Sequence, residues 1–355
     1  MPTHQPIFEQ SGGFLECHAS TLVQIGPDDF LAAWFAGTKE KNPDTGIWGS
    51  TCRKGKWSEP RLIQKINGEA HWNPVLHREE TTGRVHLWFK AWPTIPGWKT
   101  FHTTSDDQGE TWRTPEPFLE ADYPLPRGPV KNKLIVLSDG TWVNGFSDEI
   151  KVAKPTDGIV TNRTTKSGEE WRLYTERSTD GGKTWEPWTQ IAIDHSVIIN
   201  GGAIQPTLWE SQPGHVHLLA RTTAGFIGRS DSTDAGRTWS PLRLTEMPNN
   251  NSGLDLTRFK DGTLALMCNP VQGNWAARSP LSLLLSHDNG ETWTHRLDLE
   301  TEKGEFSYPA IITTSDGGLA VTYTWNRRRI SFWRGSAADV PQVSQAFQLQ
   351  ESVAR

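Results

Sequence analysis

Short apolar runs rich in β-branched and aromatic residues alternate along the chain with segments of glycine, proline, asparagine and aspartate. Three of the clearest runs cover residues 85–89, 216–220 and 281–285. Runs of this length, bounded by turn-forming residues, are typical of β-strands and too short for most helices. No apolar stretch reaches the roughly 18 residues that a membrane-spanning helix needs. The pattern predicts an all-β chain with many hairpin turns.

The pattern Ser/Thr-x-Asp-x-Gly-x-Thr-Trp recurs along the chain. It occupies residues 105–112, 178–185, 232–239 and 286–293, and a fifth copy at 50–57 lacks the aspartate. An aspartate can accept hydrogen bonds from the backbone of its own turn, and glycine supplies the positive φ of a chain reversal. The apolar runs precede these copies and are interpreted as strands that lead into the turn. The repeat therefore predicts a structural hairpin device, not a catalytic motif.

The spacing of the copies predicts the architecture. They start at residues 50, 105, 178, 232 and 286, so successive starts lie 55, 73, 54 and 54 residues apart. A period of roughly 50 residues with several short strands per repeat is typical of propeller blades. Five copies and a final stretch without one, residues 305–335, predict a six-bladed β-propeller. We expect a single domain over residues 1–355, closed by its N- and C-terminal strands, with an insertion near residues 150–166.

Composition and charge narrow the class of ligand. The 18 tryptophans and 32 glycines suit strands and turns better than helices. A net charge of −5 without a long basic run argues against nucleic acid, so a small soluble ligand is expected. The three cysteines lack metal-ligand spacing, and His215 and His217 have no third ligand nearby in sequence, so neither metal nor cofactor is expected. The first residues lack the regions of a signal peptide, which predicts a cytoplasmic protein that binds no membrane.

The order of polar residues between the repeats resembles the sialidase family over nearly the whole chain. Four positions match residues that this family uses: Asp44, Arg221, Arg278 and Tyr308. Three positions differ. His18 stands where the family has its first arginine, Gln205 stands where it has a glutamate, and residues 321–325 contain no acid where it has a closing glutamate.

The resemblance implies a role for each matched residue. Tyr308 would be the nucleophile, Asp44 the general acid/base, and Arg221 and Arg278 would hold a substrate carboxylate through charge-assisted bonds. In the family, a glutamate takes the proton of the tyrosine, and an amide such as Gln205 cannot do this. His18 is a second candidate for proton transfer. Glu305 is another, although strand alternation points residues three positions apart to opposite faces.

Four further residues are candidates for substrate binding, each with a structural alternative. Arg127 begins a cationic run that continues at Lys131 and Lys133, which would bind an anionic substrate or form a solvated loop. The other three candidates are Asn73 beside Trp72, Asn251 in an asparagine-rich turn, and Arg328 in the run 327–329. Asn73 and Asn251 also suit ordinary turns, and Arg328 is a candidate replacement for the missing first arginine.

These residues support three hypotheses about function. The first is a sialidase-like glycoside hydrolase that removes a terminal acidic sugar from a glycan or oligosaccharide. The second is a lyase that cleaves next to a uronic acid by β-elimination, with Tyr308 and His18 as base and acid. The third is a non-catalytic glycan-binding propeller, which the missing glutamate favours. All three predict an acidic carbohydrate as partner and a site that gathers distant residues at the propeller axis.

Overall fold

The computed structural model describes residues 2–9, 13–95, 97–119, 125–153 and 168–348. Within these ranges the regular secondary structure consists of β-strands and one short 3-10 helix, Ala337–Asp339. The predicted all-β class is confirmed. Most of the predicted insertion, residues 154–167, lies outside the described residues.

The strands follow one another along the chain in this order: β1 Thr3–Pro6, β2 Glu16–Gln24, β3 Phe30–Gly37, β4 Gly46–Arg53, β5 Lys56–Trp57, β6 Arg61–Gln64, β7 Ala70–Arg78, β8 Val85–Trp92, β9 Lys99–Ser105, β10 Glu116–Pro117, β11 Ile135–Val136, β12 Trp142–Lys151, β13 Glu169–Ser178, β14 Thr189–Ile191, β15 Ala203–Gln212, β16 His215–Thr222, β17 Phe226–Ser232, β18 Arg243–Pro248, β19 Asp255–Arg258, β20 Leu264–Cys268, β21 Leu281–Ser286, β22 Thr292–Glu300, β23 Phe306–Thr313, β24 Leu319–Trp325, β25 Arg329–Gly335 and β26 Gln342–Gln348.

The chain divides into two compact units, and unit 1 comprises residues 1–133 and 302–341. It contains three antiparallel sheets, with strand orders β2-β3-β4-β5 (β6 also pairs with β4), β7-β8-β9-β10 and β23-β24-β25-β1. The first strands of these sheets are neighbours, because β2 contacts both β7 and β23. Buried aromatic rings fill the space between sheets. Trp34, for example, is fully buried and stacks on Phe8 with ring centroids 5.3 Å apart.

Unit 2 comprises residues 134–301 and 342–355. Its three antiparallel sheets have the orders β11-β12-β13-β14, β15-β16-β17-β18 and β19-β20-β21-β22-β26. Two aliphatic clusters form its core, one built around Val216 and Leu218 and the other around Leu256 and Leu266. Strand β15 contacts both β12 and β19, so the first strands of two neighbouring sheets lie close together here as well.

Each aspartate-containing repeat forms the turn between the third and fourth strands of a sheet. Asp107 accepts hydrogen bonds from the amide (2.8 Å) and hydroxyl (2.6 Å) of Thr111 and from the hydroxyl of Ser105 (2.7 Å). Three other aspartates make the same bonds: Asp180, Asp234 and Asp288. The interpretation as a hairpin device is confirmed.

Two apolar runs lie one strand earlier than the sequence interpretation placed them. Residues 281–285 lead directly into a repeat, but residues 85–89 lie in β8 and residues 216–220 in β16, each followed by another strand before the turn. Apolar runs identify buried strands. Strands β8 and β16 are almost entirely buried, and each is the second strand of its sheet. In the fifth repeat, which lacks its own aspartate, Asp29 from the preceding turn binds the chain instead. Its carboxylate accepts the amide hydrogen of Lys54 (2.9 Å) and pairs with Arg53 (3.1 Å).

A β-bulge with a strained residue interrupts four of the first strands. Register shifts occur after His18 in β2, Trp72 in β7, Ile204 in β15 and Ser307 in β23. The residue that follows each has positive φ: Ala19 (56°), Asn73 (43°), Gln205 (57°) and Tyr308 (53°). Two more residues with positive φ lie just before β11 and β19: Lys131 (66°) and Asn251 (57°). Such residues are uncommon outside glycine and concentrate at functional sites, and a bulge re-aims the side chain it carries.

Candidate functional site

Unit 1 brings together Tyr308 and His18, the pair that the sequence places at the centre of the chemistry. Both side chains are buried, and their ring centroids are 4.2 Å apart. The Nδ1 atom of His18 lies 2.9 Å from the hydroxyl oxygen of Thr324, which also accepts the amide hydrogen of Ala19 at 3.1 Å. These contacts fix the orientation of the imidazole against the phenol ring. We call His18, Lys131, Tyr308 and Thr324 the tyrosine cluster.

Lys131 joins this cluster through the backbone that follows Tyr308. Its side chain is buried, and its ammonium donates to the carbonyl oxygen of Pro309 at 2.5 Å and to Oδ1 of Asn132 at 3.2 Å. The predicted site residue of this cationic run was Arg127, and Lys131 was missed.

Arg127 is buried too, so the alternative interpretation of this run as a solvated loop is wrong. The fully buried Lys90 holds the turn in place, because its ammonium donates to the carbonyl oxygens of Pro126 (2.9 Å), Arg127 (3.2 Å) and Gly128 (3.1 Å). Burying an ammonium is costly unless it is hydrogen-bonded in this way. The side chain of Arg127 is therefore carried by a rigid segment.

Two predicted proton-transfer residues in unit 1 bind other protein groups. Asp44 is exposed, and its carboxylate accepts the amide (2.8 Å) and hydroxyl (3.0 Å) of Thr38, which closes the loop between β3 and β4. Glu305 accepts from Nε of Arg327 at 2.9 Å, and Arg327 also pairs with Glu40 at 2.6 Å. Their proposed roles in catalysis stay predictions.

Arg328 and Asn73 also belong to unit 1. Arg328 is exposed in the turn between β24 and β25, whereas its neighbour Arg327 is the member of this run that binds two carboxylates. Arg328 is thus poorly placed to replace a buried arginine. Asn73 is buried at the bulge of β7, beside Trp72, which packs on Trp98 at 5.9 Å. The cysteine beside His18, Cys17, is buried, which raises the pKa of its thiol and keeps it protonated.

Unit 2 brings together Arg221, Gln205 and Asn251. The guanidinium of the buried Arg221 donates from Nε to Oδ1 of Asn251 (2.9 Å) and from a terminal nitrogen to Oε1 of Gln205 (3.1 Å). Asn251 in turn donates to Oδ1 of Asn274 (2.7 Å). The acceptors of both these bonds are oxygens of neutral amides. They therefore fix the guanidinium of Arg221 without adding negative charge. We call Arg221, Gln205, Asn251 and Asn274 the arginine cluster.

Two tryptophans flank the guanidinium of Arg221. The ring centroid of the buried Trp171 lies 5.4 Å from the guanidinium carbon of Arg221. The ring centroid of Trp275 lies 5.6 Å from the same carbon. Trp275 is 61% exposed, so one face of its ring is open to a ligand. Neither tryptophan was predicted from the sequence, since 18 tryptophans occur in the chain and nothing in the sequence separates these two from those of the core. Arg278 lies partly buried in the segment between β20 and β21 of the same unit.

The structure thus joins His18 to Tyr308 in unit 1 and Arg221 to Gln205 and Asn251 in unit 2. The convergence of all the predicted residues on one site stays a prediction. Among the described residues, no group of three or more histidine, cysteine or acidic side chains is arranged to hold a metal ion. No helix in the described ranges is long and apolar enough to cross a membrane.

Comparison with solved structures shows strong similarity of fold at low sequence identity. The alignment with the NanB sialidase of Streptococcus pneumoniae covers 95% of this chain and 71% of the NanB chain, with a TM-score of 0.73 and 14% sequence identity. The Hadza microbial sialidase Hz136 matches 96% and 69%, with a TM-score of 0.73 and 16% identity. The intramolecular trans-sialidase of Ruminococcus gnavus matches 96% and 99%, with a TM-score of 0.69 and 14% identity.

Sequence comparison identifies the family. No curated protein sequence matches the chain significantly. The family model described as a BNR repeat-like domain matches residues 28–321, which is most of the chain. Together with the solved structures, this match confirms both the predicted six-bladed propeller fold and the resemblance to the sialidase superfamily. The chain belongs to the BNR repeat-like family of β-propeller proteins.

Proposed function

We propose that the protein is a carbohydrate-active enzyme that cleaves the bond beside a uronic acid by β-elimination. The observation that carries the proposal is the buried contact between His18 and Tyr308, with ring centroids 4.2 Å apart. A histidine and a tyrosine are a competent base and acid. At the position of the family's glutamate base, Gln205 instead binds Arg221 through its amide oxygen.

The reaction needs three things from the protein. The substrate carboxylate must be neutralised, the proton on the adjacent carbon must be removed, and the leaving oxygen must be protonated. The bond to that oxygen breaks as the carbon–carbon double bond forms, so no water or cofactor is consumed. We assign proton removal and donation to Tyr308 and His18, because they are the titratable pair in direct contact.

We assign recognition of the carboxylate to Arg221, with Arg278 as its second cation. Neutral amides and two tryptophans orient the guanidinium of Arg221, and a planar guanidinium binds a carboxylate in two-pronged fashion. The open face of Trp275 suits the apolar side of a sugar ring. Arg127 and Asn73 remain candidates for contacts to the remainder of the glycan.

Hydrolysis of an acidic glycoside is the second candidate function. It is supported by the fold shared with sialidases and by the contact of His18 with Tyr308, since a histidine is a candidate to take the proton of the tyrosine in the absence of the glutamate. In this case Tyr308 attacks the anomeric carbon and water releases the sugar.

The products distinguish the two reactions. We would incubate the protein with oligosaccharides in which a uronic acid carries another sugar at O4, which is the leaving group of the elimination, and, in parallel, with sialosides. Elimination gives an unsaturated uronate that absorbs in the ultraviolet and is one water lighter than the hydrolysis product. We expect this product from a uronide. A saturated free sugar would favour the hydrolase, and binding without any product across the panel would contradict both and favour a glycan-binding protein.

A further inference from the structure

We propose that Lys131 is a positioning residue for Tyr308. This inference rests on the proposed function for its effect on turnover, but its structural content is independent of the reaction. Lys131 is energetically unfavourable in two respects. Its side chain is buried, with only 2% exposed, and its backbone has a positive φ of 66°. A buried ammonium and a positive φ each cost free energy, and such combinations persist where the surroundings enforce them.

The described hydrogen bonds show what the ammonium holds. It donates to the carbonyl oxygen of Pro309 (2.5 Å) and to Oδ1 of Asn132 (3.2 Å). Pro309 directly follows Tyr308 within the bulge of β23, where φ of Tyr308 is 53°. Lys131 is far from Tyr308 in sequence, so this bond ties a separate segment of the chain to the strained backbone that holds the ring of Tyr308 against His18.

The local position of Lys131 supports the same inference. The strained residues that begin the sheets include Asn73, Gln205, Asn251 and Tyr308, all of which were site candidates on other grounds. Lys131 has the same positive φ at the entry to β11. By contrast, Lys90, the other fully buried lysine among the described residues, lies within β8 and donates to three carbonyls of one turn, which is an internal structural brace.

A variant of matched shape without donors, Lys131→Met, tests the inference. We expect kcat to fall by about 100-fold, because a displacement of roughly 1 Å at a reacting group has effects of that size, while KM changes less than about threefold. The matched control is Lys260→Met, which removes an exposed lysine between β19 and β20 and should leave kcat unchanged. A folded Lys131→Met protein with the kcat of the wild type would overturn the proposal.

A spectroscopic measurement separates this inference from the proposed function. The ring current of Tyr308 should shift the NMR resonances of the carbon-bound protons of the His18 imidazole. Tyr308→Ala should abolish this shift. We expect Lys131→Met to move the resonances toward their positions in Tyr308→Ala, whether or not any sugar is turned over. Unchanged resonances would overturn the positioning role.

If Lys131→Met does not fold, Asn132→Ala removes one acceptor and keeps the lysine. It should give a smaller shift in the same direction, and no shift would count against the proposal.

Discussion

At the residue scale, His18 is a buried side chain whose orientation is set by its neighbours. The hydroxyl of Thr324 fixes one ring nitrogen at 2.9 Å, and the ring of Tyr308 covers its face. A histidine held in this way is oriented before substrate arrives, which lowers the entropic cost of proton transfer. Both proposed reactions assign proton transfer to His18, so both predict that its loss lowers turnover.

Substitution of His18 by asparagine tests this role. We expect His18→Asn to lower kcat by about 100-fold to 10,000-fold, the range for loss of a general acid or base, because asparagine fills part of the space but cannot exchange a proton. His215→Asn, the same change in strand β16 and outside both clusters, is the control. Steady-state kinetics and thermal unfolding of both variants provide the measurement. Equal kcat for His18→Asn and His215→Asn would contradict the role.

Gln205 offers a second test at this scale, because the two catalytic hypotheses predict opposite results. Gln205→Glu would place a carboxylate at the position where the amide oxygen lies 3.1 Å from Arg221. We expect an ion pair that competes with the substrate carboxylate, so that KM rises by about 10-fold to 100-fold, equivalent to roughly 1.4–2.8 kcal/mol of binding. A gain in sialidase activity would instead favour the hydrolase hypothesis and contradict the elimination.

The predicted site residues differ in the contacts that the structure gives them, and their roles stay predictions. Resemblance located Tyr308, Arg221 and Gln205, which the structure shows in buried, ordered contacts. It also selected Asp44, an exposed residue whose carboxylate binds Thr38. The contacts of Lys131 lay beyond prediction, because its bond to Pro309 joins segments that are distant in sequence and has no signature in either one alone.

At the scale of structural elements, the turns between the third and fourth strands are the most regular feature. Hydrogen bonds from the hydroxyl and amide of Thr111 lower the pKa of Asp107 to about 2, and the pKa of Asp180 is about 2 for the same reason. These bonds require the ionised carboxylate. The folded state therefore binds protons less readily than the unfolded chain does.

A pH dependence of stability follows from these turns. Because the pKa values are lower in the folded than in the unfolded state, the stabilisation is complete above the ordinary aspartate value of 3.8 and is lost as the pH falls through about 2. We expect the urea midpoint to fall across this interval, with a smaller fall in Asp107→Asn, which has one titrating turn fewer. A midpoint independent of pH between about pH 5 and about pH 2 would show that the turns do not contribute in this way.

The bulges are the element that the sequence pattern did not reveal. The repeats are recognisable because their side chains bond to their own turn, within eight residues. A bulge in a first strand is instead imposed by pairing with the next strand and by packing between sheets. The prolines after Asn73, Gln205 and Tyr308 were the available signal, since a residue before proline avoids the right-handed helical region.

At the scale of the whole molecule, fold and function were unequally predictable. The spacing of the repeats was sufficient for a six-bladed propeller, and the BNR repeat-like match over residues 28–321 agrees with it. The reaction does not follow from the fold, because one scaffold carries many chemistries. In our proposal it depends above all on His18 and Gln205, which the sequence resemblance aligns with other residues in the sialidase family.

The central claim is that Tyr308 and His18 carry out proton transfer on an acidic sugar, and the most direct measurement is a product time course for the wild type beside Tyr308→Phe. Phenylalanine keeps the ring that packs on His18 and removes only the hydroxyl, so the fold should be retained. We predict that ultraviolet absorbance from an unsaturated uronate grows with the wild type and fails to grow with Tyr308→Phe. Equal rates of product formation by the two proteins, or a saturated sugar as the only product of the wild type, would contradict the account.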